Sequence, residues 1–509
     1  MAALLGQEIV KTDYAKARIR IAFHPQEQKF EVLNQAIRKD VSWIPDISEV
    51  FADGAKLYKL VDDYCAANSG ADKDEIHAII FDLKNIVTSN VGLIQLHSDL
   101  DIETVTEIFI RVNSAGVTLN QADFAMSKIA TNESYGGNTL RKAIDYFCHL
   151  IAKPEFYDTI KANDSAFTAT PYFPKMAWTK NFSDDIYEPS YTDMLRVAFT
   201  SEFKRGQLED LVALLSGRNF ATKQFEEEIV EDSFKRLQEA TLRFINKDNF
   251  NKFVMIVRSA GFIDTSLIGS QNALNFAYII YLTLRESGQP AAHIEKCVRR
   301  WLVFTMLTGR YSSSPESKFD TDIRQIRELG FDVYSELVFK SELSSTFWSA
   351  ALPQSMNTSS ASSPYFRVFR AAQVKMKDKG FLSRDITVDN LISNLGHVHH
   401  LYPADFLKKQ GLAQSQYNQI ANYALVQSEI NIAVSNKAPK IYFEELAAQC
   451  ANGPLKYGGI TEVEEMKANL QMHCIPLEML DGQIPSYGDF LNERRRLMAQ
   501  KLQKYFDLL

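Results

Sequence analysis

The stretch "HVHHLYPADF" (397–406) places three histidines within four positions and a proline three residues after the last of them. The chain has nine histidines in 509 residues, so a third of them lie here. Imidazole is largely neutral near pH 7 and is the commonest side-chain ligand for metals. This concentration of histidine indicates a chemical role and directs attention to the elements around it.

The surrounding residues predict two strands and a helix. "GHVHHLYP" is short and strand-like, "ADFLKKQGL" suggests a loop with a short helix, and "NYALVQS" (422–428) predicts a second strand. "EINIAVSNKAP" (429–439) begins a helix that cannot continue past Pro439, because proline lacks an N–H and clashes with the preceding turn. Strand, loop, strand and helix form the minimal frame of a one-metal nuclease site.

Such a site needs a neutral base to take a proton from water, a divalent cation at the scissile phosphate, and a group that orients the base. The candidates are four side chains: His399, His400, Asn422 and Asn431. Neighbouring side chains on a strand point to opposite faces, so both histidines can serve one site only at a distortion or a strand end. Pro403 supports a strand end soon after His400.

"HHLYPADFL … NYALVQSEIN … NKAP" resembles the HNH signature of the His-Me finger nucleases. This resemblance implies that His400 is the general base and that Asn422 holds it in place. It also implies that His399 and Asn431 are metal ligands. "NKAPKIYF" and "HCIPLEML … YGDFLNERRRLMAQKL" resemble the C-terminal nuclease domain of GmrSD-type restriction endonucleases, which attack modified phage DNA.

The ion at this site is less well defined than the ligands. Many HNH sites have Asp or Glu where this chain has His399, and imidazole is a poorer Mg²⁺ ligand than a carboxylate. The family implies Mg²⁺ or Mn²⁺, whereas the imidazole suits Mn²⁺, Ni²⁺ or Zn²⁺. A structural histidine cluster is the rival interpretation. A structural zinc site would need a fourth good ligand, and no cysteine is near.

"IFIRVNSAGVTLNQADF" (108–124) is the second candidate site. Arg111 at a helix end, Asn113 beyond it, and the start of the next helix form a plausible phosphate pocket. A capped helix-turn-helix with a surface arginine explains the same residues. Phe109, Arg111 and Asn113 fit the Phe-x-Arg-x-Asn motif of the GmrSD N-terminal domain. That domain resembles ParB and sulfiredoxin in fold and binds and hydrolyses nucleotides, so the resemblance implies a nucleoside triphosphate at Arg111 and Asn113.

Two further segments of that family are absent from the sequence. Relatives begin with an aromatic-rich "QRxYxW"-like stretch and then an Asp-Gly-Gln-Gln-Arg motif that supplies most of the nucleotide chemistry. We therefore expect Met1 to be an internal start, or the chain to be a truncated copy or a product of a split gene. NTP hydrolysis is not expected of this chain, and a homo-oligomer or a partner could supply the missing segment.

The charge of the chain limits the kinds of partner that it is expected to bind. A net charge of −7 argues against a basic coat for nucleic acid or lipid but leaves room for a local basic groove. Four lysines around the motif are candidates for DNA backbone contacts: Lys408, Lys409, Lys437 and Lys440. Arg494, Arg495 and Arg496 are most simply the solvated face of an amphipathic C-terminal helix.

Localisation follows from the cysteines and the apolar segments. Five scattered cysteines with no CxxC pair indicate reduced thiols in a cytosolic protein. "ALNFAYIIYLTL" (273–284) is too short to span a bilayer, so we predict a buried helix there. These features favour a cytoplasmic protein without a membrane segment.

The sequence therefore predicts a predominantly helical α+β protein. We expect an incomplete ParB-like α/β domain over residues 1–135, a helical region over 136–390, and a ββα-metal (HNH) nuclease domain over 391–509. The predicted function is a metal-dependent DNA endonuclease acting on foreign, modified phage DNA. The alternatives are a non-catalytic nucleotide- or DNA-sensing protein with a degenerate nuclease site, and a purely structural helical protein, which the spacing of Asn422 and Asn431 disfavours.

Overall fold

The computed structural model describes residues 2–10, 16–88, 108, 120–394 and 396–509. These residues are mostly helical, with a few short strands, as the sequence predicts. They divide into two compact units, one of residues 1–116 with 155–169 and one of residues 117–154 with 170–509. Across the described residues, no helix combines the length and the apolar character needed to cross a lipid bilayer.

The described residues of the first unit include two pairs of antiparallel strands. β1 (Glu8–Val10) pairs with β2 (Lys16–Arg18), and β3 (Ile21–His24) pairs with β4 (Lys29–Val32). The run "ARIRIAF" (17–23) contributes to both β2 and β3. β3 is largely buried, whereas every residue of β4 is exposed.

Helices complete the first unit around one apolar cluster. Phe23 on β3 forms a bridge with Ile44, and their side chains pack with apolar residues from the following helices, including Val61 and Ile80. The Asp72 side chain accepts hydrogen bonds from the first turn of one helix and so fixes its start. The helices and helical turns are Ala2–Leu5, Gln35–Lys39, Ser48–Phe51, Leu57–Ala67, Lys73–Asn85, Ile86–Thr88, Tyr157–Asn163 and Ser165–Thr168.

The second unit is built mainly of helices. Capping boxes at Asn120 and Ser190 and prolines at 315 and 364 set several helix starts. Up to residue 394 the helices are Gln121–Thr131, Gly137–Ala152, Tyr172–Met176, Tyr191–Phe203, Leu208–Leu215, Glu227–Phe244, Lys247–Ser259, Gln271–Glu286, Ala291–Thr308, Pro315–Leu329, Phe331–Glu342, Leu352–Ser355, Pro364–Lys375 and Val388–Ser393. Shorter turns lie at Glu133–Tyr135, Ala177–Asn181, Thr265–Leu267 and Phe347–Ala351, and the turn Pro154–Phe156 has residues from both units.

The apolar helix Gln271–Glu286 lies inside this unit, as its sequence predicts. Its one interior carboxamide, Asn275, is fully buried. The Asn275 Nδ2 donates to Asp193 Oδ1 at 2.6 Å, and its Oδ1 accepts from the Tyr187 hydroxyl at 2.9 Å. Both ends of the amide are therefore satisfied, which removes most of the cost of burying it.

Beyond residue 396 the chain forms the predicted strand, loop, strand and helix. β5 (His397–His400) pairs antiparallel with β6 (Tyr423–Val426), with His400 opposite Tyr423. The helix Ser428–Val434 follows, and a new helix begins at Pro439, where the sequence predicts a break. The remaining helices are Ala404–Lys409, Gln414–Tyr417, Ile420–Asn422, Pro439–Cys450, Val463–Met472, Leu477–Met479 and Tyr487–Leu508.

The C-terminal helix Tyr487–Leu508 packs against the helical body of the same unit. The Phe506 ring meets the Phe339 ring edge to face at 5.3 Å and lies 6.1 Å from the Trp348 ring. The Tyr505 hydroxyl donates to the Ala260 carbonyl at 2.5 Å. This helix therefore joins the end of the chain to segments 150 to 250 residues earlier.

The prediction that Arg494, Arg495 and Arg496 form a solvated face of that helix is wrong for the first two. Arg494 is fully buried and Arg495 is 8% exposed, whereas Arg496 lies at the surface and pairs with Glu493. Arg495 donates to Asn357 Oδ1 at 2.8 Å. The charge pattern misled because a guanidinium can be buried when carbonyl oxygens accept its hydrogens.

Candidate functional site

The candidate site is the β5–β6 hairpin with the helix Ser428–Val434. Every residue of β6 is buried, which fixes the strand in place. Arg494 braces its start: its guanidinium donates to the carbonyls of Ala421 at 2.8 Å, Tyr423 at 2.7 Å and His473 at 3.1 Å. Burial lowers the pKa of Arg494 to about 10, so it keeps its charge at neutral pH.

His399 faces the helix. Its Nδ1 lies 2.7 Å from Asn431 Oδ1, and its ring stacks on Phe381 with centroids 5.9 Å apart. The side chain is 4% exposed, and burial lowers its pKa to about 4, so it is neutral at pH 7. The structure therefore brings together the two residues that the resemblance assigns to the metal.

The second nitrogen of His399 is buried. Among the residues that the structure describes, none makes a hydrogen bond to this Nε2. Because Asn431 Oδ1 is an acceptor, Nδ1 of His399 carries the proton and donates it to Asn431, and Nε2 carries the lone pair. The 2.7 Å separation is that of a hydrogen bond, and two ligand atoms of one divalent ion lie about 3 Å or more apart, so an ion would replace the Nδ1 proton and part the two side chains slightly.

His400 lies in a different environment. Its Nε2 is 2.9 Å from Asn418 Oδ1, and its ring meets the rings of Tyr417 and Tyr423 edge-on. Since Asn418 Oδ1 is an acceptor, Nε2 carries the proton and Nδ1 carries the lone pair. Burial lowers the pKa of His400, so the base form is populated at neutral pH.

Asn422 acts on the backbone rather than on the His400 ring. Its Oδ1 accepts from the Tyr402 amide at 2.8 Å, and its Nδ2 donates to the carbonyls of Tyr402 at 3.0 Å and Tyr417 at 3.1 Å. Because it is fully buried, these bonds close the loop between the strands. The residue that contacts the imidazole is Asn418, four positions earlier.

The four predicted side chains thus do not meet at one point, and Asn422 contacts neither histidine ring. His399 shares its contacts with Asn431, whereas the ring of His400 contacts Asn418, Tyr417 and Tyr423. This separation follows from the strand geometry, since consecutive residues of β5 point to opposite faces. His397, two residues before His399, is exposed.

The lysines predicted to contact DNA differ in their surroundings. Lys408, Lys409 and Lys440 are exposed, with Lys408 paired to Asp405 at 3.1 Å. Lys437 is held by Glu445 at 2.8 Å and by the Tyr457 hydroxyl at 2.6 Å. Lys408, Lys409 and Lys440 are therefore better placed for backbone phosphates than Lys437.

The predicted nucleotide-binding residues Arg111 and Asn113 lie outside the described residues, as does Phe109 of the same motif. Asn120, in the same stretch of sequence, forms a capping box with Asp123 at the start of the helix Gln121–Thr131.

Sequence reasoning missed two contributors to the site, Asn418 and Arg494. The role of Asn418 could have been predicted, because this carboxamide lies in the loop before the second strand. That loop is within reach of the end of the first strand, where His400 lies. The sequence gives no signal for Arg494, because it lies among three consecutive arginines and tertiary packing decides which of them are buried.

No family model matches the chain. A protein of Methanocaldococcus jannaschii named "Uncharacterized protein MJ0686" is 26% identical to it over 222 residues. The match covers 40% of this chain and 36% of the relative, so the chain matches little more than a third of that relative's length. This likeness carries no information on activity.

Proposed function

We propose that this protein is a metal-dependent DNA endonuclease of the HNH type, with the β5–β6 hairpin and the helix Ser428–Val434 as its catalytic frame. The observation that carries the proposal is the 2.7 Å approach of His399 Nδ1 to Asn431 Oδ1, beside a second histidine with a depressed pKa. We also propose the more specific GmrSD-type role in restricting modified phage DNA, which rests on the resemblance of the sequence alone.

His399 and Asn431 would hold one divalent ion, and the absence of a carboxylate between them favours Mn²⁺, Ni²⁺ or Zn²⁺ over Mg²⁺. The ion supplies Lewis-acid stabilisation of the charge that develops on the phosphate and the leaving oxygen. The pair fits this role because both groups are neutral and the ring nitrogen can exchange a proton for a cation.

His400 takes the proton from the attacking water. Its Nε2–H is held by Asn418, so the lone pair on Nδ1 is the base. His399 and His400 point to opposite faces of β5, so one phosphate would reach both only at the end of the strand, where His400 is the last residue. Asn422 contributes by closing the loop that follows His400, and Arg494 by fixing β6.

The substrate is DNA in this proposal, approached through the exposed lysines Lys408, Lys409 and Lys440. Such contacts bind any phosphate backbone and carry no base preference of their own. Arg111 and Asn113 would belong to a nucleotide-responsive regulatory part of the chain, without hydrolysis of the nucleotide.

The second candidate is a non-catalytic nucleotide- or DNA-sensing protein that keeps the frame of a nuclease. One observation favours it: His400 and His399 have separate contact sets on the two faces of β5. A site in which base and ion cannot reach one phosphate would bind DNA without cutting it.

The test is DNA cleavage by the full chain on supercoiled plasmid and on phage DNA with modified bases. Each substrate is incubated with Mg²⁺, Mn²⁺, Ni²⁺ or EDTA. We expect metal-dependent cleavage that His400→Ala lowers by roughly 100- to 10,000-fold, the range for a lost general base. Asn431→Ala should raise the metal concentration needed for half-maximal cleavage.

His397→Ala is the matched control, because it removes an exposed histidine from the same strand and should leave the rate unchanged. Cleavage in EDTA, or cleavage that survives His400→Ala, contradicts the mechanism. Binding of DNA without cleavage by the wild type supports the sensing protein instead.

A further inference from the structure

A second group of metal-ligating side chains lies away from the hairpin, on two helices of the same unit. His293 and Cys297 are one turn apart on the helix Ala291–Thr308, and Asp332 lies in the first turn of the helix Phe331–Glu342. Their ligand atoms all lie within 4.8 Å of one another. We call these three residues the helix-pair cluster.

The distances within the helix-pair cluster match the edges of a tetrahedral metal site. His293 Nε2 is 3.1 Å from Asp332 Oδ1 and 3.4 Å from Cys297 Sγ, and Cys297 Sγ is 3.8 Å from Asp332 Oδ1. Tetrahedral zinc bonds of ordinary length place a nitrogen and an oxygen about 3.3 Å apart and pairs that include sulfur about 3.5 Å apart. Each observed separation lies within about 0.3 Å of these values.

A hydrogen-bonded His–Asp pair explains the 3.1 Å contact by itself. It does not explain why a thiol completes a triangle of that size. Cys297 Sγ approaches both partners, although a thiol is a weak donor that gains little from either. Thiolate, imidazole and carboxylate are each side-chain groups that zinc binds in proteins.

The surroundings provide access and a fourth position. Cys297 is buried, but the Asp332 side chain is 67% exposed, so the cluster opens to solvent. It borders a cavity of about 330 Å³, and Glu336, one turn after Asp332, lines the same cavity. A divalent ion there would be neutralised by one thiolate and one carboxylate. Water or Glu336 would complete the tetrahedron.

We propose that His293, Cys297 and Asp332 form a binding site for a thiophilic divalent cation, Zn²⁺ by its chemistry, which joins the two helices. Binding is a proton-for-metal exchange: the Sγ–H bond of Cys297 breaks, a sulfur–metal bond forms, and the proton goes to solvent. No electron is transferred, and the site does not depend on the proposed nuclease activity.

Co²⁺ is the probe, because a thiolate bound to Co²⁺ gives a near-ultraviolet charge-transfer band that oxygen and nitrogen ligands do not give. We expect the full-length protein to develop this band at one equivalent of Co²⁺ and to lose it when Zn²⁺ is added. Cys297→Ser should abolish the band, and Asp332→Asn should weaken Co²⁺ binding at least tenfold. Asp332 is exposed, so its variant tests the site even if Cys297→Ser fails to fold.

Two control variants separate this site from others. Cys450→Ser changes a half-buried thiol elsewhere and should keep the band. Asn431→Ala alters the hairpin pair, which contains no sulfur, and should also keep it, whatever happens to DNA cleavage. A wild-type protein without the band, or a band that persists in Cys297→Ser, overturns the proposal.

Discussion

The β5–β6 hairpin and the helix-pair cluster hold their polar groups in opposite ways. The hairpin is fixed by buried side chains that bond to the backbone, namely Arg494 and Asn422. The helix-pair cluster relies on side chains that bond to one another at the surface, with Asp332 two-thirds exposed. In the hairpin, the protein itself holds the polar groups in place. In the helix-pair cluster, a bound ion would hold them.

The largest loss of stability is expected from a substitution of Arg494 in the hairpin frame. Arg494→Met leaves three buried carbonyl oxygens without a donor, and we expect a loss of about 3–5 kcal/mol in the free energy of unfolding. Urea unfolding followed by circular dichroism measures it. Arg496→Met, on the exposed side of the same helix, is the matched control and should change the value by less than about 0.5 kcal/mol. Similar losses in both variants would refute the bracing role.

The next effect is expected at Asn422. Asn422→Ala removes the partners of one amide and two carbonyls in the loop, which should cost about 2–3 kcal/mol of stability. The same unfolding measurement reports it. The exposed Asn436→Ala is the control, with an effect of less than about 0.5 kcal/mol. If Asn422→Ala is as mild as the control, the loop is held by other contacts.

His473, which shares Arg494 with the hairpin, should make the free energy of unfolding depend on pH. His473, whose backbone carbonyl accepts from Arg494, is buried, and burial lowers its pKa from 6.5 to about 3. Between these values the unfolded chain binds a proton that the folded chain does not, so stability falls as the pH falls. The slope from this group is about 1.4 kcal/mol per pH unit between roughly pH 6 and pH 4.

Urea unfolding at several pH values in EDTA measures that slope for the wild type and for His473→Asn. The variant should show a slope smaller by about one proton. Only the slope is compared, because the substitution also removes the bond from Nε2 to the Lys379 carbonyl. Equal slopes would mean that His473 is protonated in the folded protein.

The smallest effect is expected at the helix-pair cluster without metal. Asp332→Asn in EDTA should change the free energy of unfolding by less than about 0.5 kcal/mol, because a half-exposed His–Asp pair contributes little. Asp385→Asn, in another exposed ion pair, is the control and should behave alike. A large loss in EDTA would show that the cluster is a structural hydrogen-bond network, and would remove the contrast with the hairpin.

Much of the hairpin could be predicted from local pattern. The strand at His397–His400, the strand at Tyr423–Val426 and the helix break at Pro439 follow from strand-like runs and from the chemistry of proline. The approach of His399 to Asn431 follows from the spacing of two strands and a helix. These features depend on neighbours within about thirty residues.

The rest depends on how helices and loops pack, which the local patterns do not define. Cys297 and Asp332 are 35 positions apart, and no pattern in either helix indicates that the two helices pack side by side at these residues. The burial of Arg494 requires the carbonyls of Ala421 and Tyr423 to converge on it. The orientation of His400 toward Asn418 rather than Asn422 is decided by the path of the loop, which sequence spacing leaves open.

The C-terminal helix Tyr487–Leu508 has a consequence for the history of this protein. It supplies Arg494 to the hairpin and, through Phe506, packs on Phe339 and Trp348 of the helical body. A recombination event that moved the hairpin with this helix into another gene would expose those aromatic rings unless the new host offered a matching surface. Inheritance as a block is therefore favoured over shuffling of the hairpin as an independent cassette.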